Sequence, residues 1–371
     1  MVVKLGGSIL RSSKEYIHAA KNIKELFIER NLRPIVVVSA SKGITDLLQN
    51  VARGRKEAFK EIEDRYMGIA LELGSVKLVK RIEEELSRLK KIAEGIEVAD
   101  LALTDFILSY GEKISKIIMV QALELNGIRS FELNATDIIV TNNTHGDAVI
   151  DYPTTAVALE KVYNVIRDYN YVPVIEGFIG KSFEEEVTTI GRGGSDYTAT
   201  TIAALLKIRN VYLVSDVDGI MTTDPDIVPT AKLIKHMSYA EALEASMYGA
   251  KGINPKAFDP LMKIYGSSIL IGSWKKIGTT ISKEIPKEYA GPKVVMFKDA
   301  GDYAYIAVVG EGVSSAKFVR DILDIAVRLG IDVKGIQAHV HRPSAILFVD
   351  KGKGREILKM FHKALFEEGS N

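Results

Sequence analysis

The sequence predicts an α/β protein, a three-layer sandwich around a mostly parallel sheet, followed by a small α+β domain. Three observations predict it. Short apolar runs beginning at Val2, Pro34, Tyr171 and Val211 read as strands buried on both faces. Helical patterns separate these runs, which implies parallel pairing. The last eighty or so residues change to an order of two strands, a helix, two strands and a helix, with no internal repeat at solenoid periods.

A chain of 371 residues is long for one core, so a large domain plus a smaller one is expected. The hydrophobic fraction of 47% and charged fraction of 26% are those of a soluble globular protein. A net charge of +1 gives no reason to expect nucleic acid or an anionic membrane as partner. With no cysteine, disulfides, thiol nucleophiles and Cys-ligated metals are excluded, and six scattered histidines argue against a His-rich metal site. The first strand starts at residue 2, which leaves no room for a signal or transit peptide, and no apolar run approaches the ~20 residues that span a bilayer. A cytoplasmic enzyme or ligand-binding protein is expected.

In order, Val2 to Leu5 ends in Gly6-Gly7-Ser8 and is followed by a helical pattern through Leu26, Phe27 and Arg30. The strand at Pro34 breaks into Lys42-Gly43-Ile44-Thr45. From Arg53 to Glu97 the chain is helical and densely charged, with Leu78, Ile82, Leu86 and Leu89 on one face and Glu84 and Arg88 spaced to pair on another. This stretch predicts an antiparallel helical hairpin over the edge of the sheet. Asp105 to Leu125 is a helix with Glu112 near its beginning, Phe131 to Ile150 reads as short strands and turns, and Thr154 to Asp168 is helical. The strand from Tyr171 runs into a glycine loop. The loop Gly191-Arg192-Gly193-Gly194-Ser195-Asp196 precedes a helix, and the strand at Val211 exits through Ser215-Asp216-Val217-Asp218-Gly219. After a helix from Ser238 to Gly249 and a turn at Lys251 to Pro255, two strands near 268 and 279 close the first domain, taken as 1–285. A linker at 286–292 leads to the second domain, 293–371.

In an open parallel sheet, ligands bind at the carboxyl ends of the strands. Four such exits, at Gly6, Ser39, Gly177 and Ser215, present Gly, Ser or Asp to one edge. Lys4, Arg192 and Lys251 are cations in or beside glycine turns, and Asp196, Asp216 and Asp218 are carboxylates. Amides freed by Gly191, Gly193 and Gly194, beside Arg192 and a helix start, suit a small anion or a phosphate, although a sharp turn before a buried helix would read the same. Cations with glycine-rich backbone suit a nucleoside triphosphate, and one or two carboxylates suit Mg²⁺. Neither the P-loop spacing nor G-x-G-x-x-G occurs. Plainer readings stand beside these: Lys4 as a surface lysine, Glu112 as a helix starter, and Asp216 and Asp218 as turn formers. His339 and His341 alternate on a predicted strand without a third ligand nearby and read as structural or solvent-facing.

The segments VVKLGGS, VVVSASKGITDLL, ILSYGEKIS, VPVIEGFIG, TTIGRGGSDYTAT, VSDVDGIMTTDP and YGAKGINPKA, over residues 1 to about 285, resemble the amino-acid kinase family. Within it they resemble the aspartokinases. The C-terminal segment YIAVVGEGVSSAKF, with the helix, two strands and helix after it, resembles an ACT regulatory module. The resemblance implies transfer of the γ-phosphoryl of MgATP to the side-chain carboxylate of L-aspartate, the first step toward lysine, threonine and methionine. It implies that Lys4, with Gly6, Gly7 and Ser8, holds the transferring phosphoryl. Ser39, Thr45, Glu112 and Arg192 would hold the amino acid, Glu112 toward its ammonium and Arg192 toward its α-carboxylate. Asp196 and Asp218 would organise the lysine and the metal, Ser215, Asp216 and Lys251 would lie along the nucleotide, and Mg²⁺ would be held mainly by ATP phosphates.

The sequence departs from the family at Met221, where a tyrosine is usual, at Asp226 for arginine, and at Asn254 for histidine. These changes leave open a kinase for another small amino acid or hydroxy-amino acid, or a weakly catalytic amino-acid sensor. Only enough chain remains for one ACT module, with a fourth strand donated by 293–298 and a tight turn at Gly310 and Gly312 as its effector edge. Pairing of such modules predicts a homodimer or higher oligomer and a possible amino-acid effector.

Overall fold

The structure, a computed structural model, describes residues 1–169, 171–250 and 254–368. They form two compact units, Met1–Asp216 and Val217–Asn371, and the expected linker at 286–292 falls inside the second.

The strands of the first unit are β1 (Val2–Leu5), β2 (Ile35–Val38), β3 (Ser130–Leu133), β4 (Val140–Thr141), β5 (Val172–Glu176), β6 (Ile179–Ser182), β7 (Val187–Thr189) and β8 (Asn210–Val214). Its helices are α1 (Ser13–Leu26), α2 (Ile44–Ala52), α3 (Glu57–Glu72), α4 (Val76–Gly95), α5 (Leu101–Leu125), α6 (Ala135–Ile138), α7 (Tyr152–Tyr169) and α8 (Gly194–Leu205). Five strands stand in the order β3-β5-β2-β1-β8, and every neighbouring pair is parallel. Every residue of β2 and β5 is buried, as continuous apolar runs require when both faces are covered. Helix α5 lies against β2, β3 and β5, while α8 lies against β1, β2 and β8. The sheet is the predicted one, and its strand exits share one edge. A small sheet, β4-β6-β7, sits beside it.

The charged stretch is the expected hairpin, α3 and α4 joined by a short turn. Leu78, Ile82, Leu86 and Leu89 are buried, and Arg81 grips Glu132 on the edge strand β3 with two nitrogens. One detail differs. Arg88 pairs with Glu85 at 2.9 Å and not with Glu84, because Glu85 faces the packed side, where Lys113 also reaches it at 2.7 Å. Helix α5 starts earlier than expected, at a cap in which Asp100 accepts a hydrogen bond from the Leu103 N–H. Glu112 therefore lies in its fourth turn, well inside the helix, and not at its start.

In the second unit are β9 (His236–Ser238), α9 (Tyr239–Met247), α10 (Asp259–Met262), β10 (Ser268–Gly272), β11 (Thr279–Ser282), β12 (Gly291–Ala300), β13 (Tyr303–Glu311), α11 (Ala316–Arg328), β14 (Gly335–Ala338), β15 (Ser344–Asp350) and α12 (Gly354–Phe366). β11 pairs antiparallel with β10 and parallel with β9. The last four strands form an antiparallel sheet in the order β12-β13-β15-β14, so residues 293–298 do supply the fourth strand of an ACT-like module. Alternate residues Ala304, Ile306 and Val308 of β13 and Ala345, Leu347 and Val349 of β15 share one core with Ile322 of α11 and Phe361 of α12. The expected linker is partly structured: Lys287–Tyr289 is a 3-10 turn and β12 begins at Gly291. The strand expected to carry His339 and His341 in alternation is regular only over Gly335–Ala338, and both histidines fall in the exposed turn after it.

A buried ion pair ties this module to α9. Lys293 at the start of β12 meets both oxygens of Glu241 at 2.7 and 2.6 Å, and Glu241 also accepts from the Glu311 and Ser238 N–H groups. Glu241→Ala would strand a buried ammonium and two amides, so it is expected to lower the unfolding free energy by about 3–5 kcal/mol in urea titration. Glu288→Ala, at an exposed position, should leave the curve unchanged.

Candidate active site

The β1 and β2 exits and the loop before α8 enclose a cleft of about 370 Å³ in the first unit, lined among others by Lys4, Gly7, Ser39, Thr45, Glu112, Arg192 and Asp196. These seven expected residues come from distant stretches of sequence and meet only because the sheet is parallel.

At one end, Lys4 leaves β1 with its side chain only 14% exposed and its Nζ 2.7 Å from Asp196 Oδ1. A surface lysine would not be held this way. Asp196 sits in the first turn of α8, where a carboxylate meets the helix dipole favourably. The ammonium folds back over Gly6, lying 3.7 Å from where a Cβ there would stand. Gly7 is required for a different reason. A Cβ on it would be 2.3 Å from the Ala40 carbonyl oxygen, so only glycine lets the β1 exit approach the β2 exit, where Lys42 N–H donates to Gly7 O at 3.1 Å.

The opposite wall belongs to α5. Glu112 is 3% exposed, one of its oxygens accepts from the Ala40 N–H at 3.1 Å, and the other has no protein partner. Burial pushes this carboxyl up to about 8, with the nearby Glu176 adding to the rise and Lys4 opposing it. A buried carboxyl with one unpartnered oxygen has capacity for a further donor. Arg192 is exposed on the turn that caps α8, where Gly191 and Gly193 take φ of +79° and +74°, values that other residues avoid.

Supporting groups that sequence reasoning missed lie behind these walls. Lys116 is buried between Glu176 at 2.5 Å and Asn134 at 2.6 Å, and Glu176 also accepts from the Ala135 N–H. Tyr16 bridges Ser41 and Ser115, and burial raises its phenol to about 12. The only signal in the sequence was a charge inside an apolar run, at Glu176 after VPVI and at Lys116 before IIMV.

The remaining expected residues that the structure describes do not line the cleft. Ser8 belongs to a 3-10 turn after β1, and Ser215 packs beside Gly6 at the β8 exit, followed by exposed Asp216. Asp218, in the second unit, is exposed and accepts a hydrogen bond from Ser273 at 2.6 Å. Lys251 lies outside the described residues. Among the described residues no group of three or more potential metal ligands gathers. A carboxylate such as Asp218 is a hard oxygen donor of the kind that Mg²⁺ prefers when nucleotide phosphates supply the rest. Among the described residues, too, no helix is long and apolar enough to cross a membrane.

A parallel α/β sheet with a lysine, a glycine turn and a helix N-terminus at its strand exits is suited to hold an anion such as a phosphoryl group. The family model of the amino acid kinase family matches residues 1–273, and the chain belongs to that family. Its curated relatives include the lysine-sensitive aspartokinase 3 of Escherichia coli (strain K12), 33% identical over 271 residues, covering 71% of this chain and 59% of the relative. The chloroplastic aspartokinase 3 of Arabidopsis thaliana is 32% identical over 276 residues, covering 70% of this chain and 48% of the relative. The chain thus spans about half the length of the curated relatives it matches. Among solved structures, Escherichia coli aspartokinase III in complex with aspartate and ADP aligns with 98% of this chain and 83% of its own, at TM-score 0.74 and 27% identity. Aspartate kinase from Clostridium acetobutylicum, at TM-score 0.79 and 21% identity over 98% of this chain and 99% of its own, shows the shared fold.

The raised carboxyl of Glu112 has a consequence for stability. A folded-state value near 8 against an ordinary 4.5 means that the folded protein loses stability as pH rises between the two, relative to a chain without this group. Glu112→Gln keeps an acceptor for the Ala40 N–H and cannot ionise. It is therefore expected to match the parent in thermal melts near pH 4 and to exceed it by a few kcal/mol above pH 8, at about 1.4 kcal/mol per pKa unit. A melting difference independent of pH would count against the burial of a titrating carboxyl.

Proposed function

We propose that this protein transfers the γ-phosphoryl of ATP, with Mg²⁺, to the side-chain carboxylate of L-aspartate, giving 4-phospho-L-aspartate and ADP. The observation that carries the reading is the pairing, in one cleft, of a lysine locked by a carboxylate with a buried acid whose second oxygen is unpartnered. An α-amino acid presents an ammonium for Glu112 and an α-carboxylate for Arg192, which leaves its side-chain carboxylate to face Lys4. The name of the Escherichia coli structure, with aspartate and ADP bound, supports the same assignment.

The chemistry needs little from the protein beyond position and charge. A side-chain carboxylate with a pKa of ~3.9 is anionic at neutral pH, so no general base is required. One of its oxygens attacks the γ-phosphorus, and the bond to the β,γ-bridging oxygen breaks, leaving ADP. Two anions must approach for this to happen. Lys4, aimed by Asp196, lies where it can neutralise the phosphoryl oxygens as charge spreads over them. MgATP, when bound, supplies the phosphoryl group and screens its charge. Ser39 and Thr45 would position the acceptor, Gly6, Gly7 and Ser8 would follow the phosphates, and Ser215, Asp216, Asp218 and Lys251 would attend the nucleotide and its metal.

We take the catalytic domain as residues 1–285 and the ACT-like module as 293–371, and read the protein as cytoplasmic. An amino-acid effector at the module is consistent with the lysine named in a second Escherichia coli structure, although at 22% identity that likeness speaks to fold alone. Met221 and Asp226 favour keeping a second acceptor or an altered nucleotide preference in view.

A hydroxylamine-trapping assay with MgATP and a panel of amino acids tests the reaction. Acyl phosphate is expected with L-aspartate and is expected to disappear in Lys4→Ala, by a factor of about 10³ or more, with the fold retained as read by circular dichroism. Product with another acid alone would reassign the acceptor, and retained activity in Lys4→Ala would remove the phosphoryl role. Because the antiparallel module leaves β14 as an open edge, we also expect a homodimer or larger assembly; light scattering that returns the monomer mass of 40.8 kDa at micromolar concentration would exclude it.

A further inference from the structure

Glu112 is not the only buried carboxylate that α5 commits toward the acceptor cleft. Asp105 stands seven residues earlier, two helical turns away and on the same side, about 10 Å along the axis. It is 1% exposed and accepts four hydrogen bonds. Thr189 gives two, from its N–H at 2.9 Å and its hydroxyl at 2.5 Å; Gly146 N–H gives a third at 3.0 Å, and His145 Nδ1 a fourth at 2.9 Å. A buried carboxylate so fully occupied has no capacity left for a ligand. Its effect must pass through what it holds.

What it holds is the root of the arginine turn. Thr189 ends β7, two residues before Gly191 and three before Arg192. The 145–148 loop buttresses the same turn from outside. Ala148 N–H donates to Thr189 O at 2.9 Å, and a Cβ on Gly191 would lie 2.3 Å from Asp147 Oδ1. His145 extends the clamp to Glu186 at 3.1 Å, just before β7. Helix α5 therefore carries, on one rigid rod, the partner for an ammonium and the anchor for the arginine that faces the carboxylate.

We propose that Asp105 is a positioning residue that sets the distance between the Arg192 turn and Glu112, and that this spacing selects acceptors bearing an ammonium and a carboxylate on one carbon. The proposal rests on the acceptor reading above. Asparagine at 105 keeps the size but turns an NH₂ toward groups that are themselves donors, so the turn loses its register while α5 and Glu112 stay in place.

Calorimetric titration of the full chain with L-aspartate and with β-alanine tests this. β-Alanine keeps the ammonium and the acceptor carboxylate but lacks the α-carboxylate. Asp105→Asn is expected to weaken L-aspartate by about tenfold or more, as misplacement of a binding group does, and β-alanine by less than about twofold, with ADP binding unchanged. In an Arg192→Ala background, Asp105→Asn should add nothing. Equal losses for both ligands, or a loss that persists without Arg192, would overturn the proposal. Should Asp105→Asn fail to fold, Thr189→Val removes one of the four contacts and should shift the same ratio in the same direction; a folded Thr189→Val with an unchanged ratio also overturns it. If the parent binds some other α-amino acid in place of L-aspartate, the comparison is made with that ligand and its counterpart lacking the α-carboxylate. The acceptor reading then fails while the role of Asp105 is still decided.

Discussion

The 2.7 Å pair between Lys4 and Asp196 is the interaction around which the first unit is arranged. A lysine emerging from a central strand beside packed backbone is tolerable only if its charge is met. The N-terminal turn of α8 meets it with a carboxylate, and that requires the turn before α8 to reach back over β1. Everything that makes the reach possible is small or left-handed: Gly191 and Gly193 at positive φ, and Gly7 pressed on the Ala40 carbonyl. The glycines that mark the sequence are consequences of bringing one cation and one anion together at a crowded strand edge.

Helix α5 supplies the second constraint. It places one carboxyl, Glu112, in a buried position where one oxygen lacks a protein partner, and burial raises its pKa to about 8. Stability is given up there, and on the proposed reading the return is recognition of a ligand's ammonium at a buried carboxyl, where the interaction is stronger than in bulk water. Two turns away, Asp105 is as deeply buried but fully satisfied, and it acts on the neighbouring loop. The same chemical group is thus left with an unpartnered oxygen in one place and fully bonded in the other, and the count of donors around it tells them apart.

The second unit repeats the principle with a different purpose. Glu241 and Lys293 are buried against each other, and the same carboxylate caps α9 through Ser238 and receives the Glu311 amide at the end of β13. A charge pair so enclosed contributes little net stability compared with apolar packing, but it permits only one register between helix and sheet. At the far end of the module, Thr222 contacts His362 of α12 at 2.8 Å, and its carbonyl accepts from Val295 on β12. The segment after Gly219 is thereby part of the ACT-like module's own packing, with Val228 inside its core.

Much of this was legible in the chain. Strands Val2–Leu5, Ile35–Val38 and Val172–Glu176 are apolar on both faces, and such runs have few alternatives to a covered parallel sheet. Lys4, Arg192 and Asp196 could be named because they stand in motifs beside turn glycines, where local chemistry and position coincide, and Glu112 because it stands in the ILSYGEKIS segment. The partner of Arg88 could not, since helical spacing offers both Glu84 and Glu85 and only the packing of α4 on α5 chooses between them. Nor could Asp105, Lys116 and Glu176 be read in advance. Their roles depend on which groups lie within hydrogen-bonding distance across 84, 18 or 41 residues of chain. The sequence by itself determined which segments become strands and which residues stand at their exits, because periodicity and glycine act locally. The tertiary structure alone decided which of the buried ionisable groups are fully bonded and which keeps an unpartnered oxygen, because that is settled by neighbours distant in the chain.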